Sequence, residues 1–223
     1  MNYEWDFSGV WAHRDMLMAG FVGTMKIAAV AIAVGVGVGI VLAVMRLSGK
    51  RWLALPALWF IEFYRNTPPL VHFFWAFYAL PVLIGVSLDP YVAAVIALST
   101  QSGAFFAEVF RGGIKAVERG QWEAGRALGL SRTRLMVRII LPQAARRMAA
   151  PFVERSFELV KTTTLAAALA FHETIYSAMV IVTTTYRPLE VYTVVAVIFF
   201  LILFSASQVA EWLEARGRKA GAR

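Results

Sequence analysis

Apolar residues occur here in long runs. They do not alternate as in half-buried strands, nor form the one-sided stripes of surface helices. A helix needs about 20 mostly apolar residues to cross the hydrocarbon of a bilayer. A first run, about 18–45, meets that length, and "GVGVG" at 35–39 sets Gly35 and Gly39 one turn apart. That spacing suits close helix packing, although glycine is also simply frequent in spans. A second run, about 53–83, is broken at "RNTPP" (65–69). Pro68 and Pro69 remove two backbone donors and disfavour helix just before them, which fits either a kinked span or an interfacial helix feeding one. A third run, "PYVAAVIALSTQSGAFFAEVFR", covers about 90–111, a fourth about 149–171 and a fifth about 190–213. The stretch "HETIYSAMVIVTTTYRP" (172–188) is too polar at its ends for a sixth and reads as an outer-surface or re-entrant segment. The pattern predicts an all-α integral membrane protein with five transmembrane helices, residues 1–223 forming a single domain.

Composition agrees. The chain of 223 residues is 59% hydrophobic and 16% charged, against about 45–50% and about a quarter in soluble domains. It contains no cysteine, which removes disulfides, thiolate nucleophiles and Cys-ligated metals. The start, "MNYEWDFSGVWAHRD", lacks a basic n-region, and the run behind it outlasts a signal h-region, so it reads as a retained span.

The net charge of +8 gains meaning from its placement. "RLSGKR" (46–51) holds three basic residues and no acid, 111–155 holds ten Lys/Arg against three acids, and the tail from 211 adds four. The opposite segments carry only Arg14 and Arg187 beside Glu4, Asp6, Asp15, Asp89 and Glu190. The positive-inside rule then places the N-terminus outside and the C-terminus in the cytoplasm. An odd number of spans requires those opposite sides. The positive excess is topological, and no nucleic-acid partner is expected.

The longest polar interruption therefore faces the cytoplasm. In "WEAGRALGL" (122–130), Trp122, Leu128 and Leu130 lie off the charged side of a short helix, and Gly129 stands where a left-handed cap belongs. Ser131 is positioned to N-cap a second helix carrying Leu135, Ile139 and Ile140 on one side, with Pro142 stopping or kinking it. The result is a helix–turn–helix elbow. By composition alone it fits a helix pair lying on lipid headgroups; it also fits an adaptor for a partner.

Glu123-Ala124, then Gly129 six residues after Glu123, Ile139 ten further on and Leu141-Pro142 resemble the EAA signature of permease subunits of ABC importers. Gly125 departs from it, standing where a second alanine is usual, and is expected to loosen the helix by up to ~1 kcal/mol. "FYRNTPPLVHFFWAFYALP" (63–81), "EVFRGGIKAVERGQWEAGRALGLS" (108–131) and "LPQAARRMAAPF…FELVKTTTLAA" (141–167) are similar to the polar amino acid branch, which carries histidine, glutamate, glutamine, arginine and opines. The likeness covers about 20–213. It implies a coupling helix docking into a cytoplasmic ABC ATPase dimer through Glu123, Ala124, Leu128 and Gly129. It also implies a second permease subunit, identical or homologous, an extracytoplasmic substrate-binding protein, and a place in the bacterial cytoplasmic (inner) membrane. No cofactor is expected in this chain. The nearest approach to a P-loop, "SGKR" at 48–51, has Val44 for the first glycine and Arg51 for the final hydroxyl, so the ATPase is expected in a separate chain.

Charge inside the apolar runs needs partners or water, at about 2.5–3.5 kcal/mol or more per group on insertion scales. Glu62 and Arg65, Glu108 and Arg111, and Glu158 and Lys161 are each three residues apart, so each pair can meet on a helix. "STQS" (99–102) and "KTTT" (161–164) fall near mid-span. There Gln101, Ser102, Lys161 and Thr162 are the candidate lining of a substrate pathway, as transporters bind near the midplane beside broken helices. The competing role for each hydroxyl is a bond back to its own helix. Thr162 stands where relatives often have an acid or Asn, so a cationic side chain should be held less well. Catalytic signals are weak: "HETIY" (172–176) has Tyr176 where a zincin needs its second histidine, and His72 reads as a packed side chain.

The expected function is a non-enzymatic permease subunit of an ATP-driven importer of polar amino acids. An ion-coupled secondary carrier should show inverted repeats with two discontinuous helices, and no internal repeat stands out. A non-transporting scaffold would leave the mid-span polar clusters unexplained.

Overall fold

A computed structural model describes residues 3–221, with side chains described as far as residue 208. All regular structure among the described residues is helical. In chain order the helices are α1 (Ser8–Ala12), α2 (Arg14–Leu47), α3 (Arg51–Asn66), α4 (Pro69–Phe74), α5 (Leu80–Ile84), α6 (Pro90–Lys115), α7 (Arg119–Ala127), α8 (Arg132–Leu135), α9 (Leu141–Thr162), α10 (Thr174–Thr185) and α11 (Pro188–Gly221). Trp75–Ala79 and Met136–Ile140 wind as π-helix, and Thr163–Leu169 as 3₁₀-helix.

Among the described residues, three helices are long and apolar enough to cross a membrane: Arg14–Leu47, Pro90–Lys115 and Pro188–Gln208. Two bent pairs, Arg51–Asn66 with Pro69–Ile84 and Arg132–Leu169 with Thr174–Thr185, raise the count to five if each pair is one span. The sequence expectation of five matches the upper figure. Pro68 and Pro69 do interrupt the second run, with Pro69 taking the first position of α4, where a missing N–H removes no helical bond. The segment 172–188 forms a 12-residue helix, α10, which at 1.5 Å per residue is too short to cross alone. The basic tail from 211 lies outside the described side chains.

Of the two expected effects of Pro142, stopping or kinking the helix, the structure excludes the stop. The π turn Met136–Ile140 runs directly into α9. Pro142 is the second residue of α9, after a turn in which the regular i→i−4 ladder is already displaced, so its absent N–H disrupts little.

Contacts divide the chain into two compact units. The first comprises Met1–Ala33, Thr67–Ser99 and Phe157–Gln208. Its main core gathers Ile27, Ala31, Phe73, Ala94, Leu98 and Leu159, and a smaller one gathers Leu17, Ala178, Ile181 and Val191. Alanine at many of these sites lets helix backbones approach closely. The N-terminal segment is fastened to the start of α11: Tyr3 Oη donates to Glu190 Oε2 (2.6 Å), the Asp6 amide donates to Glu190 Oε1 (3.1 Å), and Arg187 donates to the Glu4 carbonyl (2.9 Å).

The second unit comprises Val34–Asn66, Thr100–Ser156 and Val209–Arg223. Within it Gly39 is pressed on α6, since a Cβ there would stand 2.8 Å from Phe106 Cβ and 3.2 Å from the Gly103 carbonyl oxygen. The close-packing role of the small residues in 35–39 is thus the one realised.

Candidate functional site

The elbow is built by local chemistry. Helix α7 begins at Arg119, three residues before the expected start. It ends in a complete Schellman motif: the Leu130 amide donates to Gly125 O (3.1 Å) and the Gly129 amide to Arg126 O (3.0 Å). Gly129 adopts φ of 70°, the left-handed region that favours glycine. Ser131 caps α8 as expected, its Oγ accepting from the Arg134 amide at 3.4 Å. Beneath the turn, Val117, Leu135, Ile140 and Ala144 form a buried cluster joined by Trp122, Leu130 and Ile139. Leu128 is not part of this packing. It is 77% exposed at the tip of the turn, and the chain returns to the cluster only at Leu130, after the left-handed Gly129. Glu123, Ala124 and Gly129 are exposed as well. All four residues named for docking therefore present themselves outward on a rigid support.

Gly125 has a role beyond its low helix propensity. It is buried, and a Cβ there would collide with Leu135 Cδ1. The glycine admits a leucine into the elbow's inner cluster, which offsets the entropic cost of glycine in a helix.

The pathway candidates fall in different units. Gln101 and Ser102, in the second, are buried on α6. The Gln101 carboxamide oxygen, like the Ser99 hydroxyl, accepts no hydrogen bond among the described residues. In the first unit, Thr162 donates to the Glu158 carbonyl (2.8 Å), Thr163 to Val160 (2.7 Å) and Thr164 to Lys161 (2.7 Å). Each hydroxyl proton of "KTTT" is thus committed to its own helix, as the competing role held. Lys161 is exposed.

Two of the three expected ion pairs form. Arg65 meets Glu62 at 3.5 Å, and Arg111 Nε meets Glu108 Oε1 at 2.9 Å with a second contact to Oε2. Lys161 does not pair with Glu158, since no ion pair engages Lys161 among the described residues. It stands in the last turn of α9, where the winding changes to 3₁₀. His72 is packed as expected: it is buried, with its Nε2 bonded to the Thr67 hydroxyl.

Two features escaped sequence reasoning. Lys26 lies exposed within α2; it is the one cation inside the run 18–45, and that isolation was a readable signal. The second is a polar knot of Thr24, Glu173 and Thr174, all fully buried. Glu173 caps α10, accepting from the Tyr176 amide at 2.7 Å. The hydroxyls of Thr24 and Thr174 lie 2.7 Å apart, and the Thr174 amide donates to Thr24 (3.1 Å). No local pattern joins positions 150 residues apart.

The described residues are helical, with several helices apolar enough to span a membrane and an exposed basic elbow, an architecture that fits a helical membrane permease. A family model for the inner membrane component of binding-protein-dependent transport systems matches residues 35–219, and the chain belongs to that family. It is thus the permease subunit of an ABC importer. The chain is 35% identical to the octopine transport system permease protein OccM of Rhizobium meliloti over 92% of its length and 87% of the relative's. It is 34% identical to the glutamine transport system permease protein GlnP of Escherichia coli (strain K12), over 96% and 98%. A chain from the crystal structure of an amino acid ABC transporter with histidines superposes with a TM-score of 0.90 at 29% identity, over 96% of this chain and 100% of that one. The relatives are transport subunits.

Proposed function

We propose that this chain carries polar amino acids inward across the bacterial cytoplasmic membrane, paired with a second permease and driven by a separate ABC ATPase dimer. The observation that carries this reading is the elbow itself. Glu123, Ala124, Leu128 and Gly129 stand outward in the spacing of the coupling signature, on a turn fixed by a Schellman motif and a Ser131 cap. The amino acid class is supported by near full-length similarity to glutamine and octopine permeases.

In this reading both units act as one permease domain with five spans, N-terminus outside and C-terminus cytoplasmic. An extracytoplasmic binding protein delivers the solute. Closure of the ATPase dimer pushes on the elbow, whose inner cluster transmits the displacement to α6 and α9 as a rigid-body movement. Gln101 and Ser102 serve the route within the second unit, and Lys161 and Thr162 within the first. The buried, unbonded oxygen of Gln101 is an acceptor suited to a passing ammonium or hydroxyl.

The test is co-purification. Wild-type protein should recruit its ATPase, and the Glu123→Arg/Gly129→Trp double variant should lose it while remaining membrane-inserted. Failure of the wild-type chain to recruit any ATPase would overturn the reading. Uptake competition with a panel of amino acids then identifies the solute.

A further inference from the structure

Two hollows flank the α6–α9 pair within the second unit, and they differ in chemistry. One, of about 810 Å³, is bordered by Ile40, Ala43, Phe110, Met136, Met148 and Phe152, and its wall is almost wholly apolar. The other, of about 350 Å³, is bordered by Arg65, Phe105, Glu108, Arg147, Glu154 and Arg155. Both use the same two helices. On α9, Met148 and Phe152 turn to the first, while Arg147, Pro151, Glu154 and Arg155 turn to the second.

The first hollow suits acyl chains. The second cannot face them, because isolated charges in hydrocarbon are heavily penalised. It must open to water, to a polar solute or to lipid headgroups. Its charges are already arranged. Arg155 is held with its guanidinium 4.9 Å from the centre of the Phe105 ring, a cation–π arrangement. Arg147 is tied by Nη1 to the Ala116 carbonyl (2.5 Å). Glu108 is bound to Arg111, whereas Glu154 is exposed and makes no ion pair among the described residues. Gly112 adds room, since a Cβ there would meet nothing within 4 Å. Pockets for small ligands begin at about 300 Å³.

We propose that this hollow is a second solute site, for the zwitterion of a free α-amino acid, on the side from which the solute is released. Arg155 and Arg147 receive the carboxylate, in the planar fork geometry that matches it, and Glu154 receives the α-ammonium. A neutral or singly charged solute satisfies only one half of the wall. The site lies where α6 and α9 adjoin the basic segments 111–155 and is separate from Gln101 and Lys161. The proposal rests on the amino acid reading above. It adds that solute on the cytoplasmic side occupies the permease without the binding protein.

Equilibrium dialysis of the purified permease–ATPase complex, without binding protein, against labelled L-glutamine, L-glutamate and L-arginine tests this. At least one should bind saturably, and its methyl ester and N-acetyl derivatives should not displace it. Arg155→Gln/Glu154→Gln should weaken binding at least tenfold, and Lys50→Gln, at an exposed loop position with no part in either site, should leave it unchanged. Gly112→Leu, which fills the hollow while keeping every charge, guards against misfolding and should weaken binding similarly. Binding unaltered by either change, or weakened as much by Lys50→Gln, overturns the site. So does loss of co-purified phosphatidylglycerol in place of amino acid binding, which would make the hollow a lipid headgroup site. ATP-driven uptake by reconstituted vesicles is measured in parallel. Uptake without hollow-dependent binding refutes this site alone; uptake of no amino acid refutes the functional reading itself.

Discussion

Two helix N-caps in this protein do the same local job in opposite surroundings. Ser131 caps α8 in the elbow from an exposed position, its Oγ 3.4 Å from the Arg134 amide. Glu173 caps α10 from a fully buried one, its carboxylate 2.7 Å from the Tyr176 amide and facing Thr24. If Ser131 is lost, water reaches the orphaned amides. If Glu173 is lost, nothing replaces it, and the buried Thr24 hydroxyl loses one of its partners, keeping Gly20 O and the Thr174 hydroxyl. Burial, not the capping motif, sets the cost.

Replacing Glu173 is expected to have the largest effect. Glu173→Ala should destabilise the protein by about 2–4 kcal/mol, the sum of a lost cap and buried polar groups left unsatisfied. Thermal unfolding in detergent checks this, and a loss no greater than that of Ser131→Ala would break the comparison. The next effect comes from Gly23, where a Cβ would collide with the His172 carbonyl oxygen. Because backbone cannot swing aside, Gly23→Ala should cost about 1–3 kcal/mol. Ser131→Ala should cost about 1 kcal/mol, visible as a small fall in melting temperature and easier proteolysis of the elbow. Gly125→Ala should be nearly neutral, within about 0.5 kcal/mol. There the gain in helix propensity opposes a shift of Leu135, whose Cδ1 is the terminal atom of a side chain. A fall above ~2 kcal/mol would mean the leucine cannot move.

The N-terminal fastening offers a prediction in pH. The hydrogen bond to Glu190 raises the Tyr3 hydroxyl above its ordinary value. A raised pKa contributes stability that is fully present below the unfolded value, about 10, and is lost as pH rises through the folded one. Asp6 is held below the ordinary carboxylate range by its bonds from Ser8, so its contribution is lost only in acid. Proteolysis of the N-terminal segment should accelerate above about pH 10 in wild type. Tyr3→Phe should be cleaved faster at neutral pH and lose that alkaline step.

Much of the architecture was legible because membrane spans announce themselves by length and composition, and caps by residues a few positions apart. The broken second run, the Gly129 turn, the Ser131 cap and the 62–65 and 108–111 ion pairs all came from spacings under one or two turns. Pro142 left a choice between a stop and a kink, because the π turn ahead of it had no clear signature. Lys161 misled because helical spacing permits a pair without requiring one. Lys26 was visible and overlooked.

Distance along the chain marks the boundary between the two kinds of knowledge. Class, span count within its range, and the elbow with the spacing of its exposed residues were written in short stretches, since hydrophobic length and hydrogen bonds within a turn are local properties. The knot of Thr24, Glu173 and Thr174, the fastening of Tyr3 to Glu190, and the gathering of Arg65, Arg147 and Arg155 around one hollow were not. Each depends on which helix faces come together, and that is set by packing across the whole unit, for which no single segment carries the information.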